Sequence, residues 1–443
     1  MKVQLSDHFT YKKIIKFTLP SVVMMIFTSV YGVVDGLFVS NFVGKTSFAA
    51  VNFIIPFLMI LGAVGFMFGT GGSAIVARAL GQGNKDRANK YFSLFIYASV
   101  VLGTTITAVG FVFFPQIARM LGAEGKMLEE CVVYGRVILV ANVAYILQLE
   151  FQSFFITAEK PQLGLIVTVA AGVTNMVLDA LFIGVFKWGV TGAALATAAS
   201  QIVGGVFPVV YFVRPNSSLL SLTKTAYDGK ALLKACTNGS SELLSNISMS
   251  LVSMLYNIQL IKYAGENGVA AYGVLMYVNF VFISAFIGYS IGTAPIFGYH
   301  YGAENYSEMK NMLRKSIVII GALSVSMFAV GELLAKPLSN IFVSYDKELL
   351  ELTVRGFYIF AFSFFFAGFA IFGSGLFTAL NNGLISAVIS FLRTLVFQVG
   401  AVLILPLIWE IDGIWISVVA AELMAFAVSA AFVVAMRKKY KYM

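Results

Sequence analysis

Twelve apolar runs, most of them long enough to cross a lipid bilayer, follow one another along this chain with only loop-sized polar stretches between them. They cover residues 14–38, 47–71, 91–114, 132–155, 163–186 and 190–213, then 231–261, 269–293, 316–334, 352–377, 384–408 and 413–436. A segment in hydrocarbon must satisfy its own backbone polar groups, so such runs form helices or closed barrels. These runs are continuous rather than alternating with period two, which excludes strands. With 59% hydrophobic and 12% charged residues, the chain has more apolar surface than a soluble core could bury. The expected fold is therefore all-α, integral to the membrane, with twelve transmembrane helices. The first run has a basic flank (Lys12, Lys13, Lys16), but it is too long for a signal-peptide core and lacks a small-x-small cleavage site.

Of the 30 Lys and Arg, 20 fall on the side holding both termini, 9 on the opposite side, and Arg393 lies inside a run. The positive-inside rule places both termini in the cytoplasm. The net charge of +9 is then topology, and nucleic acid is not needed as a partner. Cys131 and Cys236 are isolated and carry no metal-ligand spacing.

The chain also contains itself twice. GGSAIVARALGQGN (residues 71–84) resembles GTAPIFGYHYGAEN (residues 292–305) at an offset of 221. The same shift pairs Gly44-x4-Ala49-Ala50 with Gly265-x4-Ala270-Ala271, Gly135 with Gly356, Thr157-Ala158 with Thr378-Ala379, and Gly192 with Gly413. Six spans per copy is an even number, so the copies are parallel and related by an axis along the membrane normal. The implied organisation is a six-helix lobe over 1–213, a cytoplasmic linker over 214–230, and a second six-helix lobe over 231–443. A cavity between two such lobes can open alternately to either side, which is transporter architecture. The loops GQGN and GAEN read as helix ends with a glycine in a left-handed or tight turn.

Ionisable groups inside a span are costly and usually face protein or water, which makes them functional candidates. Six acids lie in or near spans: Asp35, Glu150, Asp179, Glu242, Glu332 and Glu422. Asp35, 21 residues into an outward-running span, and Asp179, 16 residues into another, both reach the outer half. Asn175 shares a helical face with Asp179. Thr197 and Tyr134 fall at similar depth in two further spans. Adding 221 to Asp35, Asn175, Asp179 and Thr197 gives Tyr256, Val396, Gly400 and Val418, so the second copy lacks the set. That asymmetry suits a coupling-ion site rather than a shared scaffold. Two neighbouring buried carboxylates cannot both stay charged, so they can exchange a proton. With Asn175 and Thr197 they also offer hard oxygen ligands for Na⁺, and the residues alone leave both ions open. Pro20, 15 residues before Asp35, is either an interior hinge or a first-turn proline. Glu242, near mid-span, either meets a cationic substrate or pairs with Asn246. Gln148, Gln152, Asn257, Gln259 and Asn279 are further candidate cavity residues. His8 and His300 read as peripheral, and no nucleophile, base or metal set supports an enzyme.

The first-span proline followed by VVDGLFV (residues 33–39), the GQGN and GAEN loops, and NMVLDALFIG (residues 175–184) together resemble the multidrug and toxic compound extrusion (MATE) family, closest to its DinF-like branch. The resemblance covers essentially the whole chain. It implies a twelve-helix antiporter in the bacterial cytoplasmic membrane, a monomer among lipids, exporting cationic or amphiphilic small molecules against H⁺ or Na⁺ without any other cofactor. It also implies that Asp35, Asn175 and Asp179 form an N-lobe cation site lined by Thr197 and Tyr134, with bending at Pro20. Glu242 is similar to the seventh-span acid of the other main branch, but that branch's tenth-span acid has no counterpart within residues 357–377. A flippase for lipid-linked saccharides, of the same wider superfamily, is the alternative. It would want a basic central cavity.

Overall fold

The computed structural model describes residues 3–443 apart from Gly44 and Leu121, and within its helices the side chains other than those of Leu37, Ser40, Asn41, residues 45–49, Asn52, Ile55 and Pro56. Lys2 and Gly44, used in the charge count and the repeat, lie outside the described residues. The first six spans are α1 (Tyr11–Phe42), α2 (Lys45–Gly81), α3 (Lys85–Met120), α4 (Gly125–Thr157), α5 (Pro161–Asp179, prolonged by a π turn over Ala180–Val185) and α6 (Gly189–Val213). No strand occurs among the described residues.

One unbroken helical stretch, Gly229–Gly302, is two helices. Gly265 sits at φ 60°, ψ −149°, a conformation that glycine adopts without steric cost. Tyr256 and Tyr272 then stack with ring centroids 5.2 Å apart. In a straight helix, a separation of 16 residues would put them about 24 Å apart. The chain therefore reverses, giving α7 (229–264) and α8 (266–302). The remaining spans are α9 (Tyr306–Val343), α10, α11 (383–408) and α12 (411–435), the last two separated by a non-helical break at Trp409 and Glu410. Helix α10 consists of Lys347–Ala361 and Phe364–Ala379, inclined at 50°. At its break the backbone switches to i→i+3 bonds, Ser363 N to Phe360 O and Phe365 N to Phe362 O. Helix α11 also contains a π turn, Leu392–Val396, which carries Arg393. These helices make the protein an integral membrane protein with the all-helical architecture expected.

The repeat is visible in the caps. Asn84 Oδ1 accepts from Arg87 N at the start of α3, and Asn305 Oδ1 accepts from Glu308 N at the start of α9. The left-handed positions in these loops are Gly83 and Glu304, not Gly81 and Gly302. Gly81 and Gly302 are instead where α2 and α8 touch. A Cβ on Gly81 would strike the Tyr299 carbonyl, and one on Gly302 the Arg78 carbonyl. At α4 and α5 the helix starts correspond at 222 rather than 221, since Gly125 pairs with Lys347 and Pro161 with Gly383. The counterparts of Asn175 and Asp179 are thus Phe397 and Ala401, which are also apolar.

Among the described residues, the contacts between the two halves concentrate at one end. One apolar core runs through both halves on the face bearing the chain termini, from Phe17, Phe92, Phe95 and Phe151 to Phe297, Phe372 and Tyr440. Towards the opposite face it divides. One branch is built from residues 39–194 around Tyr134 and Phe114, the other from residues 252–415 around Tyr256 and Trp415. Close glycine contacts repeat the pattern: Gly71 against Ala235, Gly239 against Met67, Gly288 against Ser21 and Val22. Asn381 bridges the halves, donating to the Ala74 carbonyl and accepting from Asn238 Nδ2 at 2.7 Å. The segment before α1 adds to the seal. Leu5 N donates to Glu159 of the first half, and Phe9 N donates to Glu308 of the second. The halves are therefore closed together at the termini face and diverge towards the other. The polar stretch after α6 is strapped to α3, with Ser221 N donating to Asn89 Oδ1 and Thr223 N to Ser93 Oγ.

Candidate cation and substrate sites

In the first half, four helices bring Asp35 (α1), Tyr134 (α4), Asn175 and Asp179 (α5) and Thr197 (α6) into one pocket. Gly172 lets α5 lie against Phe27 and Tyr31 of α1, which brings Asp179 up to Asp35. Asp179 ends the α-helical part of α5, and the π turn begins at the next residue. Such a turn re-aims a side chain that a regular helix would carry past the site. The side chains of Asp35 and Asp179 meet, and Asp35 also reaches Asn175. Asn175 Nδ2 donates to Thr197 Oγ1 at 3.5 Å, and Thr197 is in turn within hydrogen-bond reach of Tyr134. Asp179 is wholly buried, and Asn175 and Tyr134 nearly so.

The donors do not balance the acceptors. Both oxygens of Asp179, Oδ1 of Asp35 and Oδ1 of Asn175 are buried and receive no hydrogen bond from the protein. Two carboxylates in contact without a donor between them call for a proton or a cation. No group of three or more His, Cys, Asp or Glu suited to a transition metal exists among the described residues. The oxygens present are hard ligands, which fits H⁺ or Na⁺. Sequence reasoning missed Tyr31, one turn before Asp35 and within reach of Gln148. The i, i+4 spacing could have found it.

The corresponding helices of the second half carry a different set. Arg393 Nε donates to both oxygens of Glu422 in α12, at 2.8 and 3.1 Å. Glu242 of α7 lies within Coulombic reach of Arg393. Tyr256 OH donates to Gln398 Oε1 at 2.7 Å. Asn246 Nδ2 binds the backbone carbonyl of Glu242, so its side chain is not paired with that carboxylate. The Arg393–Glu422 pair, 29 residues apart on separate helices, had no signal in the sequence beyond its two charges.

Other expectations change. Gln148 and Gln152 are buried at 5% and 3% exposure, with Gln148 against Gly204 of α6, so both lie inside the first half rather than on an open cavity wall. Asn257, Gln259 and Asn279 are half-buried on α7 and α8. Glu150 is wholly buried and faces Ser99 of α3. Pro20 is the tenth residue of α1, which begins at Tyr11 under a Thr10 cap, so the first-turn alternative is excluded. His300 is not peripheral. It is 2% exposed and stands edge-on to Phe9.

The profile of the MatE family matches this chain twice, over residues 20–181 and 243–403, one match in each half. The chain belongs to the MatE family. Relatives in that family include the multidrug export protein MepA of Staphylococcus aureus (strain MSSA476), 25% identical over 421 residues, covering 94% of this chain and 92% of the relative. MepA of Staphylococcus haemolyticus (strain JCSC1435) is 27% identical, covering 77% and 75% of the two chains. Among solved structures, the outward-facing conformation of a multidrug resistance MATE family transporter of the MOP superfamily superposes with TM-score 0.93 at 25% identity, covering 100% and 99%. A Pyrococcus furiosus MOP superfamily transporter, for which reverse polarity of the binding pocket is taken to suggest a different function, gives TM-score 0.90 at 25% identity, covering 98% of each chain. MatE membership and these export relatives place the chain among transporters rather than enzymes.

Proposed function

We propose that this protein exports amphiphilic or cationic small molecules across the bacterial cytoplasmic membrane by alternating access, coupled to inward movement of H⁺ or Na⁺. It works as a monomer with both termini cytoplasmic. The two six-helix lobes, 1–213 and 231–443, rock about the contacts at the termini face, with 214–230 as their linker. The observation that carries this reading is the contact between Asp35 and Asp179 with buried oxygens that no protein group donates to. A cation entering from the open face is held there by two carboxylates, Asn175 and Thr197, with Tyr134 closing the pocket. Neutralising the carboxylates removes their repulsion and lets α1 and α5 close, with Pro20, which donates no backbone N–H inside the helix, as the yielding point in α1. One charge moving down 100 mV supplies about 2.3 kcal/mol, enough for a roughly 50-fold gradient of a neutral substrate.

The relatives named as multidrug export proteins support this substrate class. The flippase alternative wants a net basic cavity, and the one base deep in a span, Arg393, stands between two acids, Glu422 and Glu242. The test is substrate-driven cation flux in proteoliposomes under an imposed pH or Na⁺ gradient. Wild type should couple dye efflux to at least one gradient. Full gradient-driven efflux by both Asp35→Asn and Asp179→Asn would sink the assignment.

A further inference from the structure

The second-half pocket contains a cation whose hydrogen bonds are only partly used. Arginine carries five N–H donors in a planar fork. In Arg393 only Nε–H is engaged, by both oxygens of Glu422. Its two terminal NH2 groups make no hydrogen bond, yet neither is among the buried unpartnered atoms, so both reach accessible space. The side chain as a whole is 17% exposed, against 8% for Glu422. Glu422 therefore anchors the guanidinium from one edge and leaves its outer edge open.

The open edge stands among α7, α11 and α12, which carry Glu242, Arg393 and Glu422. On α7, Gly239 touches Met67 of the other half. Glu242 and Asn246 follow three and seven residues later on the same helical face. They stand just above the point where the halves close, at the floor of the space that opens towards the far face. Glu242 is half-buried and lies within Coulombic reach of Arg393. The floor thus presents a carboxylate without a fixed partner beside a guanidinium edge shaped for a second carboxylate.

We propose that this pocket binds zwitterionic amphiphiles, with a ligand carboxylate on the terminal NH2 groups of Arg393 and the ligand's cationic end towards Glu242. Glu422 acts as a positioning residue that orients the guanidinium without touching the ligand. The proposal rests on the export reading for its direction of transport, but its binding claim is separable. A purely cationic ligand uses Glu242 alone. Phosphate-rich ligands are excluded, because two acids and one base leave the pocket net negative.

The test compares two rhodamine dyes, rhodamine B with its free carboxylate and its cationic ethyl ester, binding to the full-length purified protein. Wild type should bind both. Arg393→Gln alone strands Glu422 in a buried setting, so Arg393→Gln/Glu422→Gln is the informative variant, since it removes both charges together. It should weaken the acid about tenfold or more relative to the ester. Glu242→Gln should weaken both dyes and leave their ratio within about twofold. An acid-to-ester ratio unchanged in the double variant overturns the proposal, as does wild-type protein that binds the ester but not the acid. Wild-type protein that binds neither dye overturns it too. Ester bound but not exported in proteoliposomes counts against the export reading alone.

Discussion

The two halves each place acids within their spans, though not at corresponding positions, and handle the charge in opposite ways. The first half sets Asp35 against Asp179 with no basic partner among the described residues. The second half sets Glu422 and Glu242 around Arg393 and engages the base with one of them. A buried charge without a partner costs several kcal/mol, so each pocket needs compensation. In the second half it is built into the chain. In the first the described residues supply none, which is what the proposed coupling site requires. The duplication supplies the same helices to both pockets, and divergence at a few positions separates coupling from anchoring.

The comparison breaks most readily at Arg393. Arg393→Ala leaves Glu422 buried without its cation and should cost about 3–5 kcal/mol of stability. Replacing both residues by Met should restore most of that loss, since a buried ion pair is often matched by apolar residues of similar volume. Thermal unfolding in detergent reads both, and equal losses in the single and double variants would show that the pair is not the stabilising unit. The first-half acids should behave in the opposite sense. Asp179→Asn should cut gradient-driven efflux at least about tenfold, corresponding to roughly 1.4 kcal/mol or more of lost coupling. It should leave the unfolding midpoint unchanged or raised, because it removes a repulsion.

How much of this was legible without coordinates follows from what each feature depends on. The apolar runs, the duplication and the convergence of Asp35, Tyr134, Asn175, Asp179 and Thr197 could be read because helix period and depth along a span are local properties. The reversal at Gly265 was legible as the break between the apolar runs 231–261 and 269–293. Partner choice between distant helices was not. Nothing in the sequence says that Arg393 prefers Glu422 to Glu242, or that Gln148 turns inward against Gly204. That Gly81 serves a close helix contact while Gly83 takes the turn was not legible for a related reason. A glycine at a helix end suits a turn equally well, and only the approach of Tyr299 from the other half shows that close contact is what it permits. The π turns beside Asp179 and around Arg393 are likewise invisible to a 3.6-residue period.

The closed end of the interface allows a further test of the lobe assignment. Gly239→Val places a side chain against the Met67 carbonyl and should wedge the halves apart at the termini face. Spin labels on Arg78 and Lys234 should then report a longer distance than in wild type, and an unchanged distance would mean that α2 and α7 absorb the residue without separating. The effect on dye binding should be smaller than that of Asp179→Asn, since no pocket residue is altered.

The smallest expected effect is also the one that separates the two candidate ions. Thr197 contributes a hydroxyl that accepts from Asn175, while the carboxylates belong to other helices. Thr197→Val keeps both acids and removes one neutral oxygen. A proton held between two carboxylates needs only those two groups. Na⁺ requires several oxygens and is sensitive to losing one. Efflux driven by a pH gradient should therefore stay within about threefold of wild type, whereas efflux driven by Na⁺ should fall about tenfold, the scale expected for losing a single ligand contact. A variant that lost pH-driven efflux while retaining both carboxylates would show that Thr197 does more than complete a coordination shell. The contrast between the lobes would then rest on the whole hydrogen-bonded chain from Tyr134 to Asn175 rather than on the two acids.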